Sequence, residues 1–221
     1  MASRPGLLIT LEGGEGVGKS TQQALLLARL RQEGVKALGS REPGSTPLGV
    51  ELRGVLMDLG RETPCQEAEL LLYLADRAQH ARQVLQPALA SGAVLVCDRF
   101  VDSSEVYQGR VRGLGQAWVR QLNHWVCGDI WPALTLLLDL DPARGLTRVH
   151  QRQGQLGILP DRLESEGLAF HQAVRQGFLQ QAAAEPERLK VIDAGQPAQQ
   201  VAADIWSVAE PLIQAWQKDW A

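Results

Sequence analysis

The sequence is short of everything that would mark a disulfide scaffold, a membrane protein or a nucleic-acid binder. Its three cysteines, Cys65, Cys97 and Cys127, are odd in number and have no metal-ligand spacing, which argues against a disulfide framework or a zinc site. Cys97 ends the apolar run 93–97 and reads as a small buried hydrophobe. Such cysteine usage fits a reducing compartment, and a cytoplasmic location is expected. No apolar run approaches the roughly 18 residues of a spanning helix. The opening Met-Ala-Ser-Arg-Pro-Gly lacks the apolar stretch of a secretory leader, so no membrane is expected as a partner. Basic surplus is missing as well: 22 Lys and Arg against 25 Asp and Glu leave −3. Bulk electrostatics therefore give no reason to expect nucleic acid, and an anionic small ligand must be met by local arginines. Neither an internal repeat nor a low-complexity tail is present.

What is there is a globular composition, 45% hydrophobic and 21% charged over 221 residues, enough for one domain around a single core. Short apolar runs alternate with longer helical patterns. The runs predict strands at 7–12, 36–40, 93–97, 133–139 and 189–193. The helical periodicity predicts helices at 18–33, 47–58, 66–90, 115–126, 142–152, 163–184 and 198–217. Continuously apolar strands are covered on both faces, as in a parallel sheet, and right-handed crossovers then give a doubly wound α/β fold. Residues 153–160, Gln-Gly-Gln-Leu-Gly-Ile-Leu-Pro, break the helical pattern and predict a flexible loop between two helices. Three of the six tryptophans, Trp206, Trp216 and Trp220, lie near the C-terminus, where core or subunit packing is the expected role.

The chemistry begins at Gly13-Gly14-Glu15-Gly16-Val17-Gly18-Lys19-Ser20, followed by Thr21. A strand feeding a glycine-rich turn that opens a helix is the context of a phosphate-binding P-loop. Its backbone N–H groups and the helix N-terminus would cradle phosphates, Lys19 would reach the β/γ-phosphates, and Ser20 would hold Mg²⁺. Motif clusters also follow the strands at 36–40 and 93–97. Since ligands of such sheets sit at the carboxyl ends of strands, one shared site is expected. The first is Arg41-Glu42-Pro43-Gly44-Ser45, a turn forced by Pro43 and Gly44. The second is Asp98-Arg99, an acid placed to face Mg²⁺ and a base placed to offset phosphoryl charge. Tyr73 and Arg77 are four residues apart and share a helix face, suiting an aromatic that stacks a base beside an arginine. Residues 103–114, read as one polar, arginine-bearing loop, complete the set.

In order and spacing over residues 7–200, several motifs resemble bacterial thymidylate kinases. They are the P-loop, Arg41-Glu42-Pro43-Gly44, Ala75-Asp76-Arg77-Ala78-Gln79-His80, Asp98-Arg99-Phe100, Tyr107-Gln108-Gly109 with Arg112-Gly113-Leu114, and Asp161-Arg162 with Glu164. The resemblance implies a homodimeric P-loop nucleoside-monophosphate kinase. Its five-stranded parallel sheet is flanked by helices and carries a lid at about 152–164 within a single domain, 1–221. It would move the ATP γ-phosphate onto dTMP with Mg²⁺.

The resemblance also implies roles. Gly13 through Thr21 would bind ATP, and Ser20 and Asp98 would serve the metal. Glu15 would meet the monophosphate sugar, and Arg41, Arg77 and Arg99 the acceptor phosphate. Pro43 would belong to the acceptor pocket, Tyr73 would stack on the base, and Ser104, Tyr107 and Gln108 would surround base and sugar. Lys19, Asp98, Arg99 and a lid arginine would carry catalysis. Gly16 stands where some members have an arginine and others supply that arginine from the lid. The second pattern applies here, with Arg152 and Arg162 as candidates and Arg162 favoured. Departures from the family pattern are Ser45, Tyr73, Val106, Arg110-Val111, Leu163 and a longer lid carrying Pro160, most of them on the acceptor side. Tyr73 and Glu105 add polar atoms that would suit a larger 5-substituent, so a kinase for a modified pyrimidine such as 5-hydroxymethyl-dUMP is one alternative. A nucleotide-binding module without transfer activity is another. The helices at 47–58, 66–90 and 115–126 are the candidates for a dimer interface.

Overall fold

The computed structural model describes residues 5–157 and 159–218; Ile158 of the expected lid and Trp220 lie outside that range. Strands β1 (Leu7–Glu12), β2 (Ala37–Arg41), β3 (Val94–Asp98), β4 (Leu134–Asp139) and β5 (Leu189–Asp193) form one parallel sheet in the order β2-β3-β1-β4-β5. All five strands fall within a residue of the expected bounds. The register aligns Leu11 of β1 and Arg41 of β2 with Asp98 of β3. The chain therefore leaves β1, β2 and β3 side by side at one edge, and the reversal of strand order about β1 opens a crevice there.

The helices are α1 (Lys19–Gln32), α2 (Pro47–Met57), α3 (Gln66–His80), α4 (Gln86–Ala90), α5 (Val101–Ser104), α6 (Gln116–Cys127), α7 (Pro142–Leu156), α8 (Leu168–Ala184) and α9 (Ala198–Lys218). Strand alternation divides them between two faces. Leu7, Ile9 and Leu11 pack with Leu26 and Leu30 of α1 and with Val201, Ile205 and Ala209 of α9. Leu8, on the opposite face, packs with Leu70 and Leu74 of α3 and Val119 of α6. Each such fully buried aliphatic side chain contributes roughly 1.5–3 kcal/mol. Trp206 and Trp216 pack against the α1/α9 core, and Trp216 Nε1 donates to the Pro5 carbonyl at 2.8 Å. Cys97 is buried, as expected.

Three differences from the expected elements have physical causes. The segment read as a loop at 103–114 is largely helical: α5 runs on into a π-helical stretch, Glu105–Val111. Its buried side chains mix Val101, Val106 and Tyr107 with the polar Asp102, Ser103, Ser104, Glu105 and Gln108, so the apolar periodicity that signals a helix is broken. Residues 66–90 are one helical run, as expected, but with a π turn at Ala81–Leu85 just before Pro87, whose ring nitrogen has no hydrogen to donate. Helix α7 continues four residues beyond 152, and the helix expected from 163 begins only at Leu168. Between them Asp161 and Glu164 cap one another: Glu164 N donates to Asp161 Oδ1 at 2.9 Å and Asp161 N to Glu164 Oε2 at 3.0 Å.

Candidate active site

The glycine turn 13–18 joins β1 to α1, with Gly13, Gly16 and Gly18 at positive φ. Gly16 has a second constraint. A Cβ there would meet the Gly145 carbonyl oxygen of α7 at 2.1 Å, and a Cβ on Gly145 would meet the Glu15 carbonyl oxygen at 2.3 Å. Loop and helix touch backbone to backbone, which excludes any side chain at position 16 and explains why an arginine cannot stand there. Val17 is buried in the core and offers the site its backbone alone. Lys19 Nζ lies across the loop, donating to the Gly14 and Gly13 carbonyls at 2.7 and 3.2 Å. Ser20 Oγ donates to Asp98 Oδ2 at 3.0 Å.

Arg99 is the one non-glycine residue at positive φ among the described residues, at 67°. Its N–H donates to the Leu11 carbonyl, and its guanidinium donates to Gly13 O and Ser103 Oγ and pairs with Glu15 Oε1. Tyr107 closes the group: its ring lies 5.2 Å from the guanidinium carbon and its hydroxyl 3.5 Å from Glu15 Oε1. Burial works to raise the Glu15 pKa, but Arg99 and then Lys19 outweigh it, so the carboxyl is held below its ordinary value.

Beneath this group sits Glu12, which the sequence reading passed over. Its carboxyl is fully buried and accepts from Phe100 N, Ser103 N and Ser103 Oγ. Burial, followed by repulsion from Asp102, raises it to about 7. It thereby ties the Arg99 turn to the start of α5. The polar residue at the end of an otherwise apolar strand was the available signal.

Two cavities meet here. One, of about 760 Å³ with its open mouth, is lined by Gly16, Gly18, Lys19, Ser20, Thr21, Arg41, Asp98 and Arg152. The other, of about 510 Å³, is lined by Pro43, Tyr73, Arg77, Ser104, Tyr107, Gln108 and Leu163. Glu15, Glu42, Arg53, Arg99 and Asp161 line both. Arg53 of α2, one helical turn beyond Gly49, was also missed, although a cation facing back toward the Pro43-Gly44 turn was discoverable; its Nη1 donates to Pro43 O at 3.2 Å. Ser20 and Asp98 present hydroxyl and carboxylate oxygens side by side, donors that suit Mg²⁺, which keeps most of its waters and completes its shell with substrate phosphates.

Several expected roles change. Arg41 lines the phosphate-side cavity but not the acceptor cavity. Arg77 is fully buried and commits four of its five N–H groups within the protein, to Glu42, Ser104, Asn123 and the Phe100 carbonyl. It is first a strut and only secondarily a ligand group. Arg162, the favoured lid arginine, faces away from the P-loop. Its Nε donates to Leu56 O at 2.7 Å and its Nη2 lies 2.9 Å from Glu69 Oε2. A buried carboxylate outcompetes an open cavity for it. Arg152 lines the phosphate-side cavity instead, pairing with Glu164 at 2.9 Å. Glu105 does not reach the acceptor cavity. It accepts from Gln181 at 3.0 Å and lies 3.8 Å from Arg120. Ser45 bonds back to Arg41, and Arg110 reaches Gln180 and Gln116. Of the departures, only Tyr73 and Leu163 line the second cavity.

A phosphate-binding loop at the centre of a five-stranded parallel sheet, opening on a second cavity lined by an aromatic and arginines, defines a P-loop nucleoside-monophosphate kinase. The sequence profile described as thymidylate kinase matches residues 11–205. Thymidylate kinase from Synechococcus sp. (strain JA-2-3B'a(2-13)) is 56% identical over 94% of this chain and 96% of its own. That of Deinococcus radiodurans is 52% identical over 91% and 95%. The crystal structure of thymidylate kinase from Ehrlichia chaffeensis superposes with a TM-score of 0.75 at 30% identity, covering 93% of this chain and all of that one. The chain belongs to the thymidylate kinase family.

Proposed function

We propose that the two cavities are the donor and acceptor halves of one phosphoryl-transfer site. As a thymidylate kinase the chain phosphorylates dTMP to dTDP with ATP and Mg²⁺. The observation that carries the site assignment is that Glu15 and Arg99 belong to both cavities. A phosphate bound on either side meets the same guanidinium. Phosphoryl transfer is mostly positioning and electrostatics. The P-loop N–H groups and Lys19 hold the β- and γ-phosphates. An acceptor phosphate oxygen displaces ADP from the γ-phosphorus while Arg99 faces the charge that moves. Ser20 and Asp98 would hold Mg²⁺, which would supply further neutralisation of phosphate charge.

The cleft lined by Thr21, Arg148, Arg152 and Gln196 takes the nucleoside end of ATP. Tyr73 stacks on the acceptor base, and Tyr107, held against Glu15, bounds the sugar. Residues 152–164 act as a lid that excludes water, with Arg152 as its transferring arginine.

We further propose a homodimer through α2, α3 and α6. Leu71, Trp118 and Trp125 are 62%, 55% and 80% exposed on α3 and α6, an apolar surface that suits subunit contact. A monomeric mass in sedimentation equilibrium at micromolar concentration would overturn that assembly.

ADP release with ATP and Mg²⁺ against dTMP, dUMP, 5-hydroxymethyl-dUMP, dCMP, dGMP and AMP tests the assignment. Selective turnover of dTMP is expected. ADP release without an acceptor would sink it.

A further inference from the structure

Glu69 touches neither cavity, yet three groups converge on its carboxylate, one of them the cavity-lining Gln108. It sits on α3 one turn before Tyr73 and two before Arg77, on the same helix face, and its side chain is 2% exposed. Gln108 Nε2 donates to Oε1 at 2.8 Å. Arg112 Nε lies 3.5 Å from the same oxygen, and Arg162 Nη2 lies 2.9 Å from Oε2. Arg112 is itself anchored by Glu166 at 2.7 Å, and Arg162 by the Leu56 carbonyl. The carboxylate is therefore flanked by a guanidinium at each end.

We infer that Glu69 is a positioning residue for base selection, acting through Gln108. The inference rests on the reading of the second cavity as the pyrimidine site. An ionised carboxylate only accepts hydrogen bonds. Gln108 must turn its NH₂ toward Glu69, and the amide orientation follows from that chemistry. Its Oε1, a pure acceptor, is left for the cavity that Gln108 lines. Arg77, which lines the same cavity, retains a single uncommitted N–H. An acceptor and a donor in one cavity match the N3–H and C4=O edge of thymine. Cytosine presents the reverse pattern, a bare N3 and a C4 amino group. A flipped Gln108 would erase that distinction, and the two arginines keep the group that prevents the flip in place.

The readout is the ratio of kcat/KM for dTMP to that for dCMP, with the KM for ATP as control. Glu69→Gln can donate to Gln108 as well as accept, so both amide orientations become available. The ratio is expected to fall by about tenfold or more, because polar sites discriminate through the pairing of buried groups. The fall should come mainly through the KM for dTMP, with the KM for ATP unchanged. Glu69→Asp keeps the charge but withdraws it by one methylene from the amide, and it lowers the ratio too; it serves if the first variant does not fold. In a Gln108→Leu background, Glu69→Gln should leave the ratio where Gln108→Leu alone puts it. A folded Glu69 variant with the wild-type ratio overturns the inference. If Gln108→Leu lowers the ratio and the Glu69 variants do not, only the role of Glu69 falls. If Gln108→Leu also leaves the ratio unchanged, the reading of the cavity falls with it.

Discussion

The phosphate side and the acceptor side of this site are built in different ways. The phosphate side is backbone: a glycine turn, the first residues of α1, and a bare contact between Gly16 and Gly145. Its side chains Lys19 and Ser20, from the start of α1, and Asp98, from the end of β3, bond to one another or to the loop. The acceptor side is almost entirely side chain, gathered from α2, α3, the 101–111 segment and the turn after α7. Polar side chains that bond to one another hold it together: Glu42 with Arg77 and His80, and Glu69 with Arg112 and Arg162. A backbone cradle tolerates no added atoms. A side-chain cradle tolerates changes of atom but not the loss of a charge partner, because an unpaired buried charge is costly.

The sharpest break of this comparison is Gly145→Ala. In most helices the change would stabilise by up to ~1 kcal/mol. Here the added methyl meets the Glu15 carbonyl oxygen at 2.3 Å and must push α7 off the P-loop. A displacement near 1 Å in a transfer site costs on the order of 100-fold in kcat/KM, and that loss is the expected result. Gly154→Ala, in the same helix with nothing within 4 Å of the new carbon, should be neutral or slightly stabilising. Equal behaviour of the two variants in turnover and thermal melts would mean that the loop does not depend on this contact.

The same difference in construction decided what was legible in the sequence. Glycines and a lysine at fixed offsets after an apolar run are a local pattern, so the P-loop, the parallel sheet and the ends of β2 and β3 could be read directly. The 101–111 segment could not be read as helix, because its buried positions mix Val101, Val106 and Tyr107 with Asp102, Ser103, Ser104, Glu105 and Gln108, polar groups whose partners lie largely on other elements. Arg162 failed for the same reason. Sequence places it in the lid beside Asp161, and nothing local reveals that Glu69, far off in the chain, holds it. Arg53 and Glu12 were missed because each matters through a long-range neighbour.

The two lid arginines carry the next largest effect. Arg152→Ala should lower kcat by about 10³, the low end for an arginine that meets the moving phosphoryl group, with the KM for dTMP little changed. Arg162→Ala removes one partner of a buried pair and should cost roughly 3–5 kcal/mol of stability, with a raised KM for dTMP and a smaller effect on kcat. Steady-state kinetics alongside denaturant melts separate the two. A large kcat loss in Arg162→Ala with unchanged stability would reverse the assignment and mean that the lid rearranges fully on closing.

The smallest effect sharpens the comparison where the two halves join. Glu12 ties the Arg99 turn to α5, and burial raises its carboxyl to about 7 from an ordinary 4.5. A carboxyl whose pKa is raised by folding binds its proton more tightly in the folded state. Its favourable contribution is complete below the unfolded pKa and is lost as pH rises from about 4.5 through 7. Glu12→Gln cannot ionise but can still accept at its amide oxygen from Phe100 and Ser103. The difference in Tm, variant minus wild type, should therefore increase between pH 5 and 7.5 and then level off. At pH 5 the variant should be the less stable, having exchanged a neutral acid for an amide whose NH₂ competes with Ser103. A Tm difference that stays flat across that range would mean that Glu12 is ionised throughout, with the Ser103 and Phe100 donors outweighing the desolvation that raises it.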